Sequence, residues 1–176
     1  RTNPSAIIPK GNIGGPTPYY NNAASWIFPA GLYAMDSTNA VLMTLSGNIT
    51  CSLATSGAAG LDTGAEASNT HYYPYLIAKA DGTTSVVWSV TNESVSGSIT
   101  LPSGYVYKRQ LKMSVRNDGS SNIIPSDILN WPYAPFIKYM TPMSNHSGGA
   151  TTAGTTNVLS AGTSAAYASV ACSSFI

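Results

Sequence analysis

Along this chain apolar side chains recur at every second position in short runs broken by Gly, Pro, Asn and Asp, the spacing of half-buried strands, and no stretch carries the spacing of a long amphipathic helix. The clearest run is Tyr105 to Arg116. Leu111, Met113 and Val115 fall on one face and Gln110, Lys112, Ser114 and Arg116 on the other. This pattern predicts one antiparallel strand with the first set in the core and the second toward solvent or a partner. A second run, His71 to Ala78, ends at Asp81-Gly82, a strong hairpin signal, and returns as Ser85 to Val90. In the return strand Val86, Trp88 and Val90 share a face, which makes Trp88 the expected core centre. Pro74 has no N–H to give a ladder, so His71 to Ala78 is expected at an edge or with a bulge.

The remaining elements follow from the same alternation. Val41, Met43 and Leu45 alternate with Leu42, Thr44 and Ser46, and Ile49 to Leu53 follows a Gly47-Asn48 turn, which reads as a second hairpin. Gly57 to Gly64 is a loop. Asn117-Asp118-Gly119 is a turn from which Ile123 and Ile124 begin a return. Ser126 to Trp131, bounded by Pro125 and Pro132, fits a single helical turn capped by Ser126. Phe136 to Met140 is a short strand, Thr141 to Ala161 a Thr/Gly/Ser/Ala-rich loop or linker, and Ala168, Val170 and Cys172 mark a closing strand. The architecture expected is an all-β antiparallel sandwich, jelly-roll-like, over residues 30–176.

Residues 1–29 read differently. Pro4, Pro9, Pro16, Pro18 and Pro29, with Gly11, Gly14 and Gly15 between them, forbid a helix and remove ladder donors, which predicts an extended arm. Its apolar anchors Ile7, Ile8, Tyr19, Tyr20 and Trp26, together with Tyr72 of the sandwich, are the interface residues expected to cover a neighbouring subunit; an arm packed on its own domain is the alternative.

Composition narrows the function. Only 9% of the residues are charged and the net charge is +1, too little for the basic field that nucleic acid requires, whereas 43% hydrophobic content and eleven tyrosines suffice for a folded core and broad protein contacts. No run approaches a membrane span and the N-terminal stretch lacks the apolar core of a signal peptide, so neither nucleic acid nor membrane is an expected partner. No nucleophile elbow, phosphate loop, dinucleotide fingerprint or calcium loop occurs, and His71 and His146 are the two imidazoles. No catalytic residue, cofactor or metal is expected. Asp62, Thr63 and Glu66 are the one set worth weighing for calcium, against an Asx-turn that merely tightens the loop. Tyr72, Tyr73 and Tyr75 fit a sugar-stacking platform or a bridge from core to subunit interface, with Tyr72 on the face opposite the other two. Cys51 and Cys172 read as buried free thiols or as a disulfide pair.

One larger pattern spans Gly60 to Arg116: GLDTG, a small-residue spacer, a Tyr-rich strand, a DG turn, a Val/Trp strand, LPSGY, a basic alternating strand and a DGSS turn. This order resembles a domain of tailed-bacteriophage virion proteins, over roughly Ala30 to Pro125 and more loosely near Val170. The resemblance implies a non-enzymatic structural protein on the particle surface, a homo-oligomer, plausibly a trimer, in contact with other virion proteins. It is compatible with capsid decoration, with a tail-fibre component, and with a fibre module that binds host-surface glycans. It also implies that the chain runs on into further β structure. A secreted carbohydrate-binding module is the alternative outside that class.

Overall fold

The computed structural model describes residues 11–95, 98–129, 131–132 and 135–140. Every regular element among them is a strand: β1 (Ile13–Gly14), β2 (Tyr19–Asn22), β3 (Ser25–Phe28), β4 (Tyr33–Met35), β5 (Leu42–Thr44), β6 (Ile49–Ser52), β7 (His71–Lys79), β8 (Thr84–Ser89), β9 (Tyr105–Gln110), β10 (Val115–Arg116), β11 (Ser126–Leu129) and β12 (Phe136–Tyr139). They form four antiparallel sheets, β1-β4-β5, β2-β3-β6, β11-β12, and a central one in which β7 carries β8 on one edge and β9 then β10 along the other. The all-β antiparallel class is as the alternation predicted.

The hairpin at Asp81-Gly82 forms as expected, with Pro74 opposite Trp88 and Ala78 opposite Thr84, and the Asp81 carboxylate accepting the Thr83 N–H at 2.8 Å. Both faces of this hairpin are covered. On one face Tyr72, Leu76, Val86 and Trp88 join Trp26, Phe28, Leu32, Met43, Cys51, Leu53, Leu111 and Val115 in the main core, where Phe28 meets Trp88 edge-on at 5.5 Å. On the other face Tyr75, Ile77 and Val87 are closed over by Ile99, Leu101 and Tyr105. LPSGY therefore does structural work: it turns the chain into β9 through a Tyr105 N–H to Pro102 carbonyl bond, and its Leu101 and Tyr105 roof the second face. GLDTG closes the outer edge of β8, where Ala59 N–H reaches Val86 O, Trp88 N–H reaches Gly60 O and Asp62 N–H reaches Trp88 O. An edge strand so paired presents no open ladder there.

Several expectations are corrected. The sandwich does not begin at residue 30: β1, β2 and β3 lie within the stretch expected to be an arm, and Trp26 and Phe28 are fully buried. The prolines caused no conflict because Pro16, Pro18 and Pro29 fall between strands, where no ladder donor is needed. Pro4, Pro9, Ile7 and Ile8 lie outside the described residues, as do His146, Cys172, the Thr141 to Ala161 stretch and the closing strand. The Gly47-Asn48 turn does not make a hairpin; β5 pairs with β4 and β6 with β3, so the turn carries the chain from one sheet to another. Ser126 to Leu129 is a strand paired to β12, since an extended partner at Phe136–Tyr139 satisfies its backbone where a lone helical turn would not. Val90 is 58% exposed because β8 ends at Ser89.

Of the two settings expected for Pro74, the edge is not found and the bulge is: it lies in a central strand, opposite a break in the partner strand. Trp88 directs its N–H and C=O to the GLDTG loop, so Pro74 opposite it directs its own nitrogen to the β9 side, toward Leu111. Leu111 N–H still reaches Pro74 O at 2.8 Å, but the Leu111 carbonyl finds no N–H on proline and accepts that of Met113 at 2.7 Å instead. The predicted single strand is thereby cut into β9 and β10. Tyr75 faces Gln110 while Tyr72 faces Val115, so three steps on β7 are matched by five on the partner. An even insertion preserves the period-2 parity, which is why Leu111, Met113 and Val115 are all buried and Lys112 exposed although the ladder is broken.

Replacing Trp88 by Ala is expected to cost about 3–5 kcal/mol, the range for a large aromatic cavity, as read by denaturant unfolding; a cost under about 1 kcal/mol would show that Trp88 is not the core centre. Gly60 packs so closely that a Cβ there would meet the Thr55 carbonyl oxygen, a backbone atom that cannot yield. Gly60→Ala is therefore expected to destabilise by about 1–3 kcal/mol, whereas Gly47→Ala, with open space around it, should stay within about 0.5 kcal/mol.

Candidate functional site

The break opposite Pro74 opens a pocket of about 470 Å³. One wall is the looped-out run Leu111 to Ser114, another the 92–94 turn, and Tyr73, Arg109 and Gln110 complete the side nearest β7. A bulge of this kind re-aims side chains that a continuous strand would have held in register.

Arg109 is positioned from a distance by Asp36. The Asp36 carboxylate, 2% exposed, accepts the N–H groups of Thr38, Ala40 and Val41 and the Thr38 hydroxyl, at 3.1, 2.7, 2.7 and 2.5 Å. Those bonds wind residues 36–41 into a tight turn in which Asn39 takes a left-handed φ of 58°, a conformation asparagine tolerates better than most residues. Asn39 Oδ1 then accepts Gly11 N–H at 2.6 Å and Arg109 Nη2 at 3.0 Å. Gly11, at φ 75°, needs to be glycine on both counts, since a Cβ would also come 3.3 Å from Arg109 Nη2. Among the described residues the guanidinium makes that one hydrogen bond, and its Nε is buried without a partner. Burial raises the Asp36 pKa, but the four hydrogen bonds, led by the Thr38 hydroxyl, outweigh it and hold the carboxyl below the ordinary value.

The opposite wall is laced by Gln110 and Glu93. Gln110 Oε1 accepts the Glu93 N–H at 2.6 Å and lies 3.3 Å from the Tyr75 hydroxyl oxygen, while Glu93 Oε2 accepts the Gln110 N–H at 3.4 Å. Tyr75 gives its one hydroxyl hydrogen to Thr91 O at 2.9 Å, and burial together with the Glu93 charge pushes its pKa up to about 12, so it remains a donor throughout the neutral range. Tyr73 is half-buried beside these groups. Two cations, Arg109 and Lys112, and one carboxylate, Glu93, border the pocket.

The residues singled out from sequence fall in unequal places. Trp26 and Tyr72 are not interface residues: both are buried in this chain, Trp26 paired across from Cys51 and stacked edge-on with Tyr20, Tyr72 bonded through its hydroxyl to Ala67. Tyr20 is half-buried and Tyr19 is 48% exposed. Asp62 and Glu66 do not converge. Asp62 accepts the Ser89 hydroxyl and the Thr100 N–H, and Glu66 accepts Asn117 Nδ2, so neither the calcium site nor the local Asx-turn is formed. Instead Asp62 ties the GLDTG loop to β8 and to the segment entering LPSGY. Tyr72 and Tyr73 lie on opposite faces as predicted, but burial of Tyr72 and Tyr75 leaves Tyr73 as the member of the cluster at the pocket. Cys51 is a buried free thiol whose pKa burial pushes well up, packed as a small apolar group. His71 is held below its ordinary pKa, first by burial and then by Arg116.

Asp36, Asn39 and Arg109 were not recognised from sequence as a set. The signal present was Asp36-Ser37-Thr38-Asn39, a turn-forming run, but its link to Arg109 spans 70 residues and is not a local property. Comparison with protein-family models, curated proteins and solved structures returned no match.

Because the folded-state pKa of Asp36 lies below the ordinary 3.8, the unfolded chain binds more protons in that range, and the stabilisation is complete above 3.8 and lost as pH falls through the folded value. Asp118, half-buried, and Asp81, exposed, both in turns, act in the same direction through bonds led by the Asn122 and Thr83 amides. Melting temperature is thus expected to fall in two steps, a shallow one as pH drops below the ordinary histidine value of 6.5, where the unfolded chain takes up a proton that folded His71 resists, and a steeper one below about 4 as the carboxylates protonate. Asp36→Asn replaces one acceptor oxygen by a donor and should cost about 1–3 kcal/mol at neutral pH while flattening the acid decline. An unchanged acid limb in this variant would remove Asp36 from the account.

Proposed function

We propose that this chain is a non-enzymatic structural component of a tailed-bacteriophage particle, displayed on the virion surface as a homo-oligomer, a trimer by the resemblance. The observation that carries the reading is the role of the two motifs on which the resemblance rests. GLDTG seals the β8 edge and LPSGY roofs the second face of the central hairpin, so their order and spacing are a description of how this domain closes. We read that shared order of parts as a way of folding shared with the virion domain. The described polar groups support a structural role as well. Asp36 and Asp118 fix their own turns, Asp62 ties its loop to β8, and Asn117 with Glu66 ties the spacer loop to the turn after β10.

The same reading assigns subunit contacts to exposed apolar residues, of which Tyr19, Leu42, Val106 and Leu129 are examples, in a surface with few charges to oppose association. A second role within the particle, holding host-surface glycans, is favoured by the polar pocket bordered by Tyr73.

The test is peptide mass spectrometry of gradient-purified particles made from the genome that encodes the chain, combined with native mass measurement of the isolated protein. Tryptic peptides at stoichiometric abundance in the particle and a mass of three chains are expected. A protein confined to the soluble lysate, or a stable monomer that also makes no contact in an electron-microscopy map of the particle, would refute the proposal.

A further inference from the structure

We infer that the pocket beside the β9–β10 break binds a carboxylate-bearing saccharide, with Arg109 and Lys112 taking the carboxylate, Tyr73 flanking the ring, and Glu93 and Gln110 meeting ring hydroxyls. This names the ligand class for the glycan-holding role and rests on that reading.

Four observations lead to it. The volume, about 470 Å³, is that of a small-ligand site and suits one or two sugar units. Arg109 is fixed by Asn39 at a single nitrogen, so the guanidinium is oriented while donors remain available; an oriented fork is what planar carboxylate recognition requires. Gln110 has its oxygen engaged by the Glu93 N–H, which leaves its NH₂ group as donor, while Glu93 retains acceptor capacity beyond its 3.4 Å bond to the Gln110 N–H. Donors, an acceptor and an aromatic side chain around one cavity match the mixed hydroxyl and ring surface of a sugar. The two cations against one carboxylate favour an acidic over a neutral one.

None of these groups is held in place by the ligand. The Asp36 turn, the Gln110–Glu93 pair and the bulge at Leu111 exist in the free chain, so the site is preorganised.

The experiment is a titration of the full chain, followed by ¹⁵N NMR, with methyl β-D-glucuronide and methyl β-D-glucoside, which differ in carboxylate against hydroxymethyl at one carbon. Saturable shifts at the Tyr73, Glu93 and Lys112 amides are expected with the glucuronide, and binding of the glucoside about tenfold weaker or more, the worth of one charge-assisted contact. Lys112→Gln, at an exposed position, should weaken the glucuronide by about threefold to tenfold without moving the melting temperature. Arg109→Lys keeps the charge but loses the fork and should weaken it further. Equal affinity for both glycosides would overturn the acidic class while leaving a glycan site standing. Absence of saturable binding for either would overturn the site and the glycan-holding role together. Tighter binding of a short polyglutamate peptide than of the glucuronide would overturn the proposal in favour of a protein partner.

Discussion

A proline in the middle of the central strand is the constraint on which the rest of this structure turns. Pro74 cannot donate, and its nitrogen faces the one edge of β7 where a partner carbonyl, that of Leu111, would have required a donor. An unpaired carbonyl at a buried position costs on the order of 1–3 kcal/mol. The chain avoids that cost by turning Leu111 O onto Met113 N–H, and the turn expels Lys112 and its neighbours from the ladder. What results is both a defect in a sheet and the wall of a cavity. The bulge is placed beside a fully paired stretch, β7 against β8, so the local loss of ladder bonds does not propagate.

The two motif loops carry out complementary tasks around that strand. With β8 paired to β7 on one side, its other edge would be open, and the Ala59 amide together with the GLDTG backbone closes it by three hydrogen bonds. With the main core on one face, the other face would expose Tyr75, Ile77 and Val87, and the 99–105 segment covers them. Asp62 joins the two loops by accepting from both Ser89 and Thr100, which makes edge closure and face closure one cooperative unit. Edge, face and the Asp62 tether therefore stand or fall together, and a lesion in either loop should be felt in both.

Where the sequence was legible, the information was local or periodic. The Asp81-Gly82 hairpin, the Asn117-Asp118-Gly119 turn and the burial of Trp88, Leu111, Met113 and Val115 all follow from turn chemistry or period-2 alternation, and all are found. Alternation predicted the faces of the Tyr105 to Arg116 run correctly and its continuity wrongly, because a two-residue insertion leaves parity intact and is invisible to it. The pairing partners of β5 and β6 were misread because Gly47-Asn48 reports a turn, not what the flanking strands pair with. Proline density misassigned residues 11–29 for a related reason: it marks where ladders are absent, and three of those prolines mark gaps between strands of one domain. The candidate pocket was the least legible part. Only Tyr73 among its residues had been considered for ligand contact, and the Asp36–Asn39–Arg109 chain depends on contacts between remote segments.

The scarcity of charge explains the style of these contacts. With 9% of residues charged, few loops can be fixed by ion pairs, and the described loops are fixed by short polar side chains bonding to backbone amides and carbonyls. Asn117 is the fullest example: it is wholly buried, accepts Thr70 N–H, and donates to Glu66 and Ala67, binding the spacer loop to the turn after β10. Such bonds are short-ranged and only weakly screened by salt, so they fix geometry without creating a long-range field. Against that quiet background, two cations with one carboxylate around a single cavity form a local departure from neutrality. Arg109, Lys112 and Glu93 meet where the sheet is broken, and this is the physical reason to look for recognition there.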